Sequence, residues 1–153
     1  MTRLLSIDPG KHFLAYAIFE DSILADVSGF TAEEPGHMAA MIESRLCILG
    51  LDELVIEFPQ IYPPRVQKGD PNDLLSLAMV VGFVVQTLHK TPHIELVSPK
   101  RWKGSVPKMV HNDRIKDRLA EDERSLITQS KVPTGKRHNL IDAVGIGLWR
   151  LGR

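Results

Sequence analysis

The apolar positions of this chain change period several times, and each change marks an element. Leu4, Leu5 and Ile7 form a short aliphatic run at 3–8 that closes on Asp8 and a Pro9-Gly10 turn signal. Residues 13–19 and 22–30 read as two more strands around a turn at Glu20-Asp21, and gaps this short predict antiparallel hairpins. Between 36 and 49, Met38, Met41, Ile42, Leu46 and Leu49 recur at helical spacing, with Gly50 as the stop. A fourth strand at 54–57 follows that helix, so it is expected to run parallel to the first. The Pro-rich, polar stretch 58–69 reads as a loop.

Asp70-Pro71-Asn72-Asp73 is a strong helix start, with Asp as cap and Pro in first position. The helix it opens, to about residue 90, is apolar nearly all round. Such a helix is buried centrally or buries its second face against a partner subunit. A fifth strand at 94–97, a Ser98-Pro99 helix start, a polar helix at 111–129 and a final helix at 138–151 complete the chain. This order predicts an α/β fold in one domain, residues 1–153, with a mixed five-stranded sheet and helices on both faces.

Three acids break the apolar pattern. Asp8 ends the first strand, Glu57 ends the fourth, and Asp142 lies inside the apolar segment 140–144. A carboxylate at the end of a buried element is costly unless something neutralises it. On its own stretch Asp8 is read equally well as the entry to the Pro-Gly turn. Three such acids together point to one cluster, tolerable when hard divalent cations bind it.

Composition adds little except in charge. A hydrophobic share of 43% with 25% charged residues is that of an ordinary globular domain. The net charge of zero hides a segregation: residues 1–60 carry three basic and ten acidic side chains, and the remainder carry 16 and nine. A neutral total is therefore no argument against a polyanionic partner. The single cysteine, Cys47, precludes an internal disulfide and fits a reducing cytosol; its helical position predicts a core residue. Met38, Met41 and Met79 are likewise expected to pack in the core. The N-terminus lacks a signal pattern, no apolar run is long enough to span a bilayer, and there is no Gly-rich phosphate loop for a nucleotide cofactor.

The segment Leu5-Ser6-Ile7-Asp8-Pro9-Gly10, the ending Val55-Ile56-Glu57 and the closing His138-Asn139-Leu140-Ile141-Asp142-Ala143 resemble the RuvC-type Holliday junction resolvases of the RNase H-like superfamily. The resemblance covers nearly the whole chain in element order. It implies an RNase H-like homodimeric endonuclease of recombination and repair. Such an enzyme binds four-way DNA junctions and cuts two strands of like polarity symmetrically with Mg²⁺ or Mn²⁺, two ions per active site. The short length looks like that of a phage or otherwise compact version, for which the cytoplasm of a bacterial cell is the expected location. In that frame Asp8 is the candidate bridging ligand, with Glu57 on one ion and Asp142 on the other. The family places Asp or His three residues before the last Asp, where this chain has Asn139, preceded by His138. His138 is favoured as ligand or proton shuttle, because an imidazole exchanges a proton near neutral pH and an amide does not; Asn139 is the competing position.

Lys100, Arg101, Lys103 and Lys108, with Trp102 among them, and Lys136 and Arg137 beside the last helix, are the expected DNA contacts. The alternative is a solvated basic loop with Trp102 packed on the core. Tyr62 or Phe58 is the candidate aromatic that stacks at an opened junction, with Phe58 equally well a core residue. His12, His37, His89, His93 and His111 show no metal-ligand spacing. Two rival functions stand beside the resolvase: an RNase H-like ribonuclease or rRNA-processing nuclease, and a non-catalytic module that binds branched DNA.

Overall fold

A computed structural model describes residues 1–47, 50–63 and 70–153. Leu49, expected in the first helix, and residues 64–69 of the expected Pro-rich loop lie outside that set. The elements run β1 (Arg3–Asp8), β2 (Phe13–Glu20), β3 (Ile23–Thr31), α1 (Pro35–Leu46), β4 (Glu53–Glu57), α2 (Pro71–Thr87), β5 (His93–Val97), α3 (Pro99–Lys103), α4 (Lys108–Asp117), α5 (Glu121–Gln129) and α6 (Arg137–Leu151). A 3₁₀ turn at Thr134–Lys136 leads into α6.

The five strands form one sheet in the order β3-β2-β1-β4-β5. The β1–β2 and β2–β3 pairs are antiparallel, and the β1–β4 and β4–β5 pairs are parallel. This is the predicted mixed sheet, down to the parallel return of β4 beside β1. The β2–β3 hairpin turns on Asp21 and Ser22, both at positive φ (48° and 71°), the two-residue geometry that matches strand twist.

Alternation along each strand divides the core in two. Leu5, Ile7, Leu54 and Ile56 face a hydrocarbon layer completed by Met38 and Ile42 of α1 and Val80, Val81 and Val84 of α2. Leu4, Ala17, Phe19 and Val55 face the opposite layer, completed by α6, Trp102 of α3, Ile115 of α4 and Ile127 of α5. By the same period of two, Ser6 and Asp8 on β1, and Glu53 and Glu57 on β4, belong to the α6 side.

Helix α6 lies unusually close to this face because two glycines let it. A Cβ on Gly147 would collide with the Phe19 ring and stand 2.8 Å from Ser6 Oγ. One on Gly145 would lie 2.5 Å from Ile115 and 2.8 Å from Trp102. The Ser6 hydroxyl, fully buried, donates to the Ala143 carbonyl at 2.8 Å and so pins α6 to β1. At the far end of α6, Arg150 pairs with Glu53 of β4 at 2.8 Å and Glu95 of β5 at 3.5 Å.

Three expectations need correction. The single polar helix at 111–129 is two helices: Leu119 turns into the core at 3% exposure, and the Glu123 carboxylate accepts from the Ala120 N–H to start α5 afresh. Cys47 is exposed, because α1 ends at Leu46 and Cys47 is only its cap. Met79 is 57% exposed, on an outer stripe of α2 with Leu75 and Phe83, so the packing role expected for it fails. Residues 99–103 form α3, the helix that the Ser98-Pro99 start predicts. No described helix is long and apolar enough to cross a membrane.

Candidate active site

The parallel pairing of β1 and β4 puts Ile7 opposite Ile56. Asp8 and Glu57 are the next residues along, at neighbouring strand ends on the face that α6 covers. Asp142 comes from α6, one residue before the carbonyl that Ser6 holds. It is 8% exposed.

The electrostatics show that the three acids share one place. The Asp8 carboxyl is pushed well above the ordinary carboxylate range, first by desolvation and then by the charges of Glu57 and Asp142; Lys103 and Lys108 oppose the shift. Glu57 is also raised by burial, against the opposing pull of Lys103 and the Trp102 hydrogen bond, with Asp142 adding to the rise. Carboxylates in this condition are short of positive charge.

What positive charge there is comes from the segment after β5. Lys103 Nζ lies 3.6 Å from Glu57 Oε2, and Lys108 Nζ lies 3.6 Å from Asp142 Oδ2. The Trp102 indole N–H donates to Glu57 Oε2 at 2.5 Å. A cavity of ≈ 110 Å³ opens beside Asp142, lined by Lys103, Gly104, Val106, Lys108 and His111. His111 packs edge-on against Trp102, with centroids 4.9 Å apart, and its Nε2 is buried without a hydrogen-bond partner among the described residues. Desolvation holds the His111 pKa below the ordinary value despite the Asp142 charge.

His111 was not singled out by the sequence, and it is the histidine placed at this cavity. The signal was its spacing, three residues after Lys108 on the same helix face. His138, the expected fourth member, is exposed in the first turn of α6, and Asn139 is half-buried. Both stand one helical turn from Asp142.

The remaining predicted contacts are spread around this centre. Arg101 is tied to Glu95 at 3.0 Å and stacked over Trp149 at 5.2 Å, while Lys100 is exposed. Lys136 lies 5.8 Å over the Phe13 ring, and Arg137 donates to the Val132 carbonyl at 3.4 Å. Tyr62 is half-buried; Phe58 and Ile61, in the same segment, are 40% and 73% exposed.

The donor set suits a hard divalent cation: all oxygen, crowded, and carrying more negative charge than two ammoniums balance. Among the described residues, no three His, Cys, Asp or Glu side chains converge as a finished cage for one ion. Protein sites commonly hold Mg²⁺ through only one or two carboxylates, with water and substrate phosphate completing the shell.

No protein-family model matches the chain, and no curated protein matches its sequence. Solved structures do match it in shape. Thermus thermophilus RuvC in complex with a Holliday junction substrate is 14% identical, with a TM-score of 0.68 over 99% of this chain and 93% of that one. The fowlpox virus resolvase bound to Holliday junction DNA is 12% identical, with a TM-score of 0.64 over 99% and 97%. The yeast mitochondrial Holliday junction resolvase is 18% identical, with a TM-score of 0.58 over 98% and 79%. The fold is therefore the RNase H-like fold seen in RuvC-type resolvases.

Proposed function

We propose that the protein is a divalent-metal-dependent endonuclease that resolves four-way DNA junctions. The observation that carries this reading is the placement of Asp8, Glu57 and Asp142 on one face of this fold, with Asp8 and Glu57 raised in pKa by burial and by neighbouring acid charge. Asp8 feels the charge of both other acids and would be the ligand shared between the ions. Glu57 would complete one ion's protein ligands, and Asp142 the other's. Bound Mg²⁺ or Mn²⁺ supplies Lewis acidity toward a phosphodiester and lowers the pKa of attacking water.

The chain's own groups do the rest. Lys103 and Lys108, at 35% and 59% side-chain exposure, are long enough to turn from the carboxylates to phosphate oxygens of the substrate. His111, its pKa held below the ordinary value by burial, offers a ring nitrogen as proton acceptor beside Asp142. His138 and Asn139, at the mouth of α6, extend the site toward solvent and the DNA backbone. Lys100, Lys136 and Arg137 would add phosphate contacts around it, and Phe58 or Tyr62 an aromatic surface for an unstacked base.

Symmetric cutting requires two such sites, and the outer stripe of α2 supplies a reason to dimerise. Leu75, Met79 and Phe83 recur every four residues at 66%, 57% and 42% exposure, an apolar face that a second copy would cover.

The test is a cleavage assay on a labelled synthetic four-way junction, with and without Mg²⁺ or Mn²⁺, beside linear duplex and an RNA–DNA hybrid. Paired, symmetric nicks confined to the junction and dependent on metal are expected. Hybrid degradation with an intact junction would make the protein a ribonuclease, and tight binding without cuts would make it a branched-DNA-binding module.

A further inference from the structure

Two donors meet on one oxygen of Glu57. Oε2 accepts from the Trp102 indole and faces the Lys103 ammonium, so both contacts leave Oε1 aside. The donors differ in how fixed they are. Lys103 swings on a flexible stem, whereas the Trp102 ring is 7% exposed and wedged on three sides. The His111 ring meets it edge-on at 4.9 Å, Lys103 Nζ stands 4.9 Å from its centroid, and Gly145 leaves just the space its six-membered ring fills. A buried indole N–H requires an acceptor and is never one itself, so the Glu57 oxygen that meets it is held in place as that acceptor.

We propose that Trp102 is the positioning residue for Glu57: it immobilises Oε2 and presents Oε1 as a single-point ligand to a divalent cation shared with Asp8. This deepens the metal-dependent reading above and rests on it. Lys103 departs toward phosphate when the cation arrives, while the indole stays and keeps the carboxylate from swinging or binding through both oxygens. A hydrogen-bonding partner behind a ligand characteristically contributes about 10–100-fold to metal affinity.

The experiment is calorimetric titration with Mn²⁺ of the wild type, Trp102→Phe, Glu57→Gln and the double variant, each with a thermal melt. Trp102→Phe keeps an aromatic ring against His111, Lys103 and Gly145 and removes the N–H. It is expected to weaken Mn²⁺ binding about 10-fold, and to add no loss in the Glu57→Gln background. Where the phenylalanine packs poorly and the melt falls, the benzothiophene analogue of tryptophan at position 102, with sulfur in place of the N–H, must show the same weakening. Unchanged affinity in either N–H-less protein, or an equal further loss in the Glu57→Gln background, overturns the role of Trp102. A wild type that takes up no Mn²⁺ overturns the metal reading beneath it.

Discussion

Two sets of sheltered carboxylates lie on the same side of the sheet, and they are treated in opposite ways. Glu123 of α5 is 3% exposed, and every approach to it is a donor. Arg153 reaches both oxygens at 2.8 and 2.9 Å, and the backbone N–H groups of Leu24 and Ala120 add bonds at 2.8 and 2.9 Å. The pair with Arg153 and these N–H groups bring its pKa down to about 2. Asp8 and Glu57 are driven upward instead, because burial and the charge of neighbouring acids, Asp142 among them, outweigh two lysines and an indole. A carboxylate saturated by its own protein is a structural strut. One left in deficit is, on the function proposed above, a ligand in waiting, and a cost in stability of that kind is common at functional sites.

The sharpest way to break this comparison is Asp8→Asn. Cleavage of the junction should fall to background while junction binding persists, and the melting temperature should rise by a few degrees as the repulsion among three acids is relieved. A variant that still cuts would remove Asp8 from the chemistry; one that melts lower would mean that Asp8 is a strut after all.

Glu123→Gln should do the reverse. Its depressed pKa corresponds to on the order of 2–3 kcal/mol at neutral pH, and its loss to a fall of roughly 5–10 °C in melting temperature, with cleavage at low temperature intact. The pH dependence has a definite sign. Because the folded pKa lies below the ordinary 4.5, the contribution is complete above that value and is lost as pH falls toward about 2. Denaturant unfolding of both proteins across acid pH should show the stability gap between them close in that window. The smallest effect expected is for Lys108→Met. Junction binding should weaken, and the slope of log affinity against log salt should drop by about 1, as one phosphate contact is removed. An unchanged slope would leave Lys108 as a partner of Asp142 alone.

The comparison also explains what could be read in the chain beforehand. Asp8 and Glu57 stood out because strand alternation is local: period two fixes which face each residue takes, and parallel pairing follows from the intervening helix. Asp142 stood out as a lone charge in an apolar helix. The rest of the neighbourhood is assembled by packing between helices, which leaves no periodic trace. His111 reaches the cavity through the angle of α4, and Trp102 reaches Glu57 through the short helix after β5. The break at Leu119 depends on a side-chain acceptor, Glu123, that looks in sequence like any surface acid. Met79 and Cys47 were misplaced for a related reason: apolar character shows that a residue can be buried, not what is there to bury it.

The seating of α6 has a mechanical consequence. The helix is fixed at two points, near its middle by the Ser6–Ala143 bond with Gly147 against Phe19, and at its far end by Arg150 between Glu53 and Glu95. It is also packed from Leu140 onward, where Leu140 and Ile141 are buried in the core, so it is a lever with only a short arm, the first turn from Arg137 to Asn139. A polyanion pulling on Lys136 or Arg137 loads the tip of that arm, whereas Asp142 sits against the clamp, where the same load produces the least displacement. On the function proposed above, DNA would tug at the mouth of the site without blurring the position of the carboxylate at its base.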